Sequence, residues 1–153
     1  MLRQELSDSL KAAMKARDSC AVSTIRLILA ALKDRDIAAR GNGNADGISE
    51  PEILEMLKTM IRQRRESIQS YEAGGRVDLA EQEAEEIGVI ERFLPEQIEG
   101  EAMTAAIEQT VAELGAATIK DMGKTIQALK AKYAGRMDFS KASAIVKQML
   151  TGG

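Results

Sequence analysis

At 153 residues, with 44% hydrophobic but only 3% aromatic content, the chain has room for one domain or two small ones, and a fully buried central sheet is not expected. There is no histidine, so the commonest general base and metal ligand are both missing, and no Ser–His or Cys–His nucleophile can be built within the chain. The net charge of −3 hides an asymmetry: residues 1–114 carry 14 Lys/Arg against 22 Asp/Glu, whereas residues 115–153 carry 7 Lys/Arg against Asp121 and Asp138 alone.

Ala, Leu, Glu, Gln, Lys, Arg and Met dominate, and these are the strong helix formers. Leu2, Leu6, Leu10 and Met14 recur every fourth residue and predict one stripe of a first helix. Asp18 or Ser19 caps a second helix, whose inward face is Val22, Ile25, Ile28, Leu29 and Leu32. Gly41 to Gly47 reads as a polar loop. Ser49 and Glu52 then have capping-box spacing, with Pro51 tolerated in the first turn. The helix behind them carries Ile53, Leu54, Leu57, Met60, Ile61, Ile68 and Tyr71 and stops at Gly74-Gly75. Asp78 and Glu81 have the spacing of a further helix start, with Ala84, Ile87, Ile90 and Leu94 expected inward and Phe93 nearby.

Pro95 cannot donate a backbone hydrogen bond, which places a boundary between a larger N-terminal subdomain, 1–95, and a small C-terminal one, 96–153. Three shorter helices are expected beyond it. The first holds Met103, Ile107, Val111 and Leu114 and ends at Gly115. The second is capped by Thr118 and Asp121, with Ile119, Met122, Ile126, Leu129 and Tyr133 inward. The third is capped by Asp138 and holds Phe139, Ala142, Ile145, Val146 and Met149. The predicted fold class is all-α: a larger helical subdomain followed by a three-helix one.

Cys20 stands alone, so no internal disulfide framework exists. No stretch reaches the roughly 18 apolar residues of a membrane span, and no secretory leader is evident. These features predict a cytoplasmic protein with no membrane partner.

Three near-motifs fall short of chemistry. Gly123-Lys124-Thr125 resembles the end of a phosphate-binding loop, but that loop needs a glycine where Thr118 stands and a strand before it. Asn42, Asn44, Asp46 and Gly47 mimic the start of a calcium loop, yet Ile53 occupies the position of the bidentate glutamate. Glu81, Glu83, Glu85 and Glu86 crowd one segment without a histidine beside them, and solvated or Arg-paired carboxylates account for them. No cofactor and no metal are expected.

The basic tail carries more. Lys120 and Lys124 lie one turn apart, Lys130, Lys132 and Arg136 follow at the end of the same helix, and Lys141 and Lys147 sit on the last helix. Such groups give a surface its affinity for phosphates. Tyr133 and Phe139, the only aromatics there, have core spacing, so a folded RNA contacted through its backbone fits better than a stacked single strand. Arg62, Arg64, Arg65 and Arg76 are expected in ion pairs between helices, with Glu66 the local partner of Arg62.

Gln63-Arg64, Ser67, Tyr71, Arg76, Asp78-Leu79-Ala80, Glu83 and Leu94-Pro95-Glu96-Gln97, followed by Gly115-Ala116, Lys120-Asp121-Met122-Gly123-Lys124 and Gly135-Arg136, together resemble the YqeY family over essentially the whole chain. Phe139 departs from the small residue expected after Asp138. The family is similar, in its C-terminal part, to the tail of the B subunit of the glutamine-dependent aspartyl/glutamyl-tRNA amidotransferase, where that tail helps hold tRNA. The resemblance implies an all-α fold and makes tRNA or another structured RNA the expected partner of Lys120, Lys124 and Arg136. Gly123 would admit a close backbone or phosphate, and the basic tail adds Lys130, Lys132 and Lys141. It does not transfer the carbon–nitrogen ligase reaction, because the catalytic domains are not in this chain. An accessory role in tRNA amidation and a protein adaptor docking through the N-terminal half are the alternative expectations.

Overall fold

The computed structural model describes residues 1–151, and all the regular structure among them is helical. Contacts divide the chain into two compact units, Met1–Leu94 and Pro95–Gly153.

The first unit holds α1 (Leu2–Ala16), α2 (Ser19–Gly41), α3 (Glu50–Ala73) and α4 (Val77–Glu91). Leu6, Ile25, Ile28, Ile53, Met56, Leu57 and Ile90 are fully buried where these helices meet. The α1 stripe enters this core with Leu2 and Leu6 only; Leu10 is half-buried and Met14, expected inward, is 51% exposed. Four-residue spacing drifts round a helix of 3.6 residues per turn, so Ala13 takes the inward place instead.

Asp18 caps α2 by accepting from the Ala21 N–H at 3.1 Å. Ser49 and Glu52 form the full capping box of α3. The start of α4 differs from expectation: Arg76 occupies the N-cap position, and Asp78 in the first turn instead binds the Arg76 guanidinium at 3.1 and 3.2 Å. Ala84 faces solvent, and Val89 and Phe93 fill the buried positions beside Ile87 and Ile90. The short turn of Gly74, Gly75 and Arg76 folds α4 back along α3 as a helical hairpin.

The second unit is α5 (Gly100–Leu114), a single 3₁₀ turn (Ile119–Asp121), α6 (Met122–Lys132) and α7 (Phe139–Leu150). Each helix packs on the other two. Met103, Ile107, Leu129, Met137, Ala142, Val146 and Leu150 make the core, with Tyr133 and Phe139 half-buried at its margin. Gly115 ends α5 at φ +63°, a left-handed cap that glycine adopts without strain.

Candidate nucleic-acid interface

The turn before α6 is fixed by reciprocal caps. Asp121 Oδ2 accepts from the Ala117 and Thr118 N–H groups at 3.0 and 3.2 Å, and the Thr118 side chain caps in return. Those amides hold the Asp121 carboxyl below the usual carboxylate range, with Lys124 assisting. Thr125 Oγ1 donates to the Asp121 carbonyl at 2.8 Å and is itself buried. Lys120 therefore sits in the 3₁₀ turn, not on the middle helix as expected, while Gly123 and Lys124 lie in the first turn of α6. All three are exposed. Ile119, expected inward, is 46% exposed beside them, because the cap fixes the turn before the helical stripe begins.

Gly123 has no heavy atom of the protein within 4 Å of where a Cβ would stand. The fold's own packing does not demand a glycine there, although glycine costs a helix roughly 0.5–1 kcal/mol relative to alanine.

The expected cations divide into two groups. Lys120, Lys124, Lys130 and Lys141 are exposed, and no carboxylate of the described residues lies within ion-pairing distance of them. Lys132 is engaged: its Nζ binds Glu113 Oε2 on α5 at 2.9 Å, which raises the lysine and lowers the glutamate in pKa. Arg136 is also committed. Its Nε donates to the Glu96 carbonyl at 3.1 Å, and its guanidinium lies 6.0 Å from the Tyr133 ring centroid. Around it the Ile98 N–H donates to the Arg136 carbonyl at 2.7 Å, and Gln97 Nε2 donates to the Gly135 carbonyl at 2.7 Å. Arg136 thus helps strap the segment after Pro95 to the α6–α7 connection.

At about 100° per residue, Lys124 and Lys130 flank the outer face of α6 on opposite sides, with Gly123, Gln127 and Ala131 between them. Pro95–Gly153 as a whole balances seven acidic with seven basic residues. The field is therefore local: Glu99, Glu101, Glu108 and Glu113 lie on or beside α5, and the free lysines lie on α6, its turn and α7.

In the first unit, Arg64 reaches Glu86 at 3.3 Å and Glu83 at 4.0 Å, and Arg65 reaches Glu91 at 3.7 Å, so these two arginines are spent between α3 and α4. Arg62 makes no ion pair with Glu66 or any other described carboxylate. Glu81 and Glu85 are exposed, and no three carboxylate or thiol groups of the described residues converge as a metal set.

Residues 3–150 match the family described as Yqey-like protein. Yeast proteins named "Altered inheritance of mitochondria protein 41, mitochondrial" are similar. That of Lachancea thermotolerans is 34% identical over 89 residues, 58% of this chain and 46% of the relative. That of Candida glabrata is 34% identical over 91 residues, 60% and 48% of the two chains. That of Saccharomyces cerevisiae is 35% identical over 89 residues, 58% and 46%. The matched region spans about half the length of these relatives. Their names overturn the cytoplasmic expectation, since the similar proteins are mitochondrial. A lone cysteine and the lack of a long apolar run do not distinguish the cytoplasm from an organelle interior, which is why the sequence alone could not place the chain.

Proposed function

The chain belongs to the YqeY family, and from that premise we propose a non-catalytic helical module that binds tRNA or another structured RNA through the basic surface of α6, its preceding turn and α7. The observation that carries this reading is the set of exposed lysines Lys120, Lys124, Lys130 and Lys141, which make no ion pair with a described carboxylate, whereas Lys132 and Arg136 of the same unit are tied to its own acceptors. Cations left free of carboxylates can release counterions from phosphates without first breaking an internal pair. Gly123 supports the same reading. It sits beside Lys124 with open space where its Cβ would be, so a sugar–phosphate backbone can approach the first turn of α6 closely. What the family resemblance implies for the C-terminal part, a similarity to the amidotransferase tail, supports the same reading. Lys132 and Arg136 are assigned to structure first, and their contribution to RNA is secondary.

The test is anisotropy of labelled tRNA with the intact chain at two or more salt concentrations. Lys124→Ala and Lys120→Ala should each weaken binding to a similar extent across RNA sequences, and each should reduce the salt slope by about one. Binding that ignores salt, or is unchanged in both variants, would remove this surface from the function.

A further inference from the structure

The outer face of α2 has a pattern that the core of its unit does not use. Ser23, Leu27, Ala30, Asp34, Ile37 and Gly41 follow one another at alternating four- and three-residue steps, the spacing of a coiled-coil seam. The seam runs about 27 Å along the helix, opposite the face that buries Ile25, Ile28 and Leu32. The outer face of a surface helix is ordinarily polar. Here Leu27 is 49% exposed and Ile37 55%, and Asp34 is the only charge in the seam.

Arg26, Lys33 and Arg40 form a second row at seven-residue intervals along one edge of that seam. All three are exposed, and none pairs with a described carboxylate, although residues 1–114 carry 22 acidic groups. Arg40 donates to the Ala45 carbonyl at 3.3 Å, and its charge helps to lower the Asp36 pKa without an ion pair forming.

We propose that this face of α2 docks an amphipathic helix of a partner protein, one with an apolar stripe and a row of acidic residues along the edge that meets Arg26, Lys33 and Arg40. Small residues at Ser23, Ala30 and Gly41 let a second helix approach closely, and Leu27 and Ile37 supply the apolar anchors. Asp34, at the centre, would meet a donor on the partner and fix the register, as a single polar group does in a seam.

A second copy of the chain fits less well. Antiparallel pairing of two α2 helices would set the basic row against itself. Parallel pairing would set it against the opposite edge, where Ala31 and Ala38 offer no carboxylate and Thr24 is buried. A lipid surface also fits poorly, because insertion of the seam would carry Asp34 in with only two large apolar residues.

The experiment uses the full chain and two labelled helical peptides of three heptads. Both have leucine along the seam, and the facing edge is glutamate in one and lysine in the other. The glutamate peptide should bind about tenfold more tightly. The double variant Arg26→Glu, Lys33→Glu should invert that order, and Leu27→Asp should remove binding of both peptides while the helical circular dichroism is kept. Equal binding of the two peptides, or an order unchanged by the charge reversal, overturns the proposal. So does self-association of the chain, or co-sedimentation with anionic vesicles, that Leu27→Asp removes, since the face would then belong to a second copy or to lipid.

Discussion

The guanidinium of Arg3 on α1 and the carboxylate of Asp36 on α2 form a two-point contact, Nη2 to Oδ1 at 2.7 Å and Nε to Oδ2 at 3.3 Å. The same pair holds the chain entering α3. Arg3 Nη2 also donates to the Ile48 carbonyl at 2.8 Å, and the Ile48 N–H donates to Asp36 Oδ1 at 2.9 Å. One buried carboxylate therefore joins two helices and a loop, and supplies a buried backbone amide with an acceptor.

Asp36→Asn places an amide NH₂ where the carboxylate accepted from Arg3 or from Ile48, so one donor is left facing another. The expected loss is about 2 kcal/mol near neutral pH. It lies at the modest end for a buried pair because 39% of the Arg3 side chain remains in solvent. The Arg3 hydrogen bond, more than any other cause, holds the Asp36 carboxyl below its ordinary range, and the Ile48 amide adds to this against the cost of burial. A depressed carboxylate contributes its full stability above the unfolded pKa and loses it as pH falls through the folded value. Denaturant unfolding of the two proteins at pH 7 and pH 3 should show the gap narrowing in acid. A gap independent of pH would assign the loss to packing instead.

Gly47 lies against the same carboxylate. Its φ of +80° is already in the left-handed region, and an added Cβ would meet Asp36 Oδ1 and stand 2.7 Å from the carboxyl carbon. Gly47→Ala should cost about 2–3 kcal/mol, combining backbone strain with displacement of the pair. Gly43→Ala, with φ +94° and open space around it, should show the strain alone. Thermal unfolding of both variants separates the two contributions.

Elements governed by local rules were legible in the sequence, and those set by packing were not. The capping box at Ser49, the Asp18 and Asp138 caps and the glycine stops at Gly74 and Gly115 each depend on residues within one turn of each other, and each was found in the predicted place, whereas Thr118 and Asp121, expected to cap the middle helix, close the 3₁₀ turn before it. Met14, Ala84 and Ile119 were expected inward and face solvent, because apolar identity does not say which of several apolar rows a neighbouring helix covers. Asp78 has a capping residue's spacing but binds Arg76 instead, a competition among side chains that spacing does not resolve. For the candidate interface, the cations could be identified from sequence. The tying of Lys132 to Glu113 and of Arg136 to Glu96 could not, since these partners lie 19 and 40 positions away.

The α3–α4 hairpin sets two carboxylates against one guanidinium. Arg64 Nε lies 3.3 Å from Glu86 without the alignment of a hydrogen bond, and Glu83 is farther off at 4.0 Å. Burial raises the Glu83 pKa and the charge of Glu86 adds to it, with Arg64 opposing. A raised acid costs stability as pH climbs through the unfolded and then the folded pKa. Glu83→Gln should therefore stabilise the protein at pH 7 by about 0.3–0.5 kcal/mol, the scale of one like-charge helix pair. The gain should shrink as the pH falls through the ordinary carboxylate range and the wild-type carboxyl takes up its proton. Destabilisation at pH 7 would make Glu83, not Glu86, the necessary partner of Arg64.

The Lys132–Glu113 bridge allows the division of the candidate cations to be tested in solution. Both side chains are about half exposed, with Nζ to Oε2 at 2.9 Å, and the lysine is the leading cause of the lowered glutamate pKa. A lysine held by its own carboxylate must give up that contact before it can neutralise a phosphate, so Lys132→Ala should weaken RNA binding less than Lys124→Ala does. Glu113→Gln removes the competing charge and frees Lys132, and should tighten binding about twofold to fivefold, steepening the salt dependence by up to one unit. Titrations of wild type, Glu113→Gln and the double variant Glu113→Gln, Lys132→Ala distinguish a freed lysine from a general change in net charge. If the double variant keeps the whole gain, the effect belongs to lost repulsion by Glu113, and Lys132 has no part in the interface.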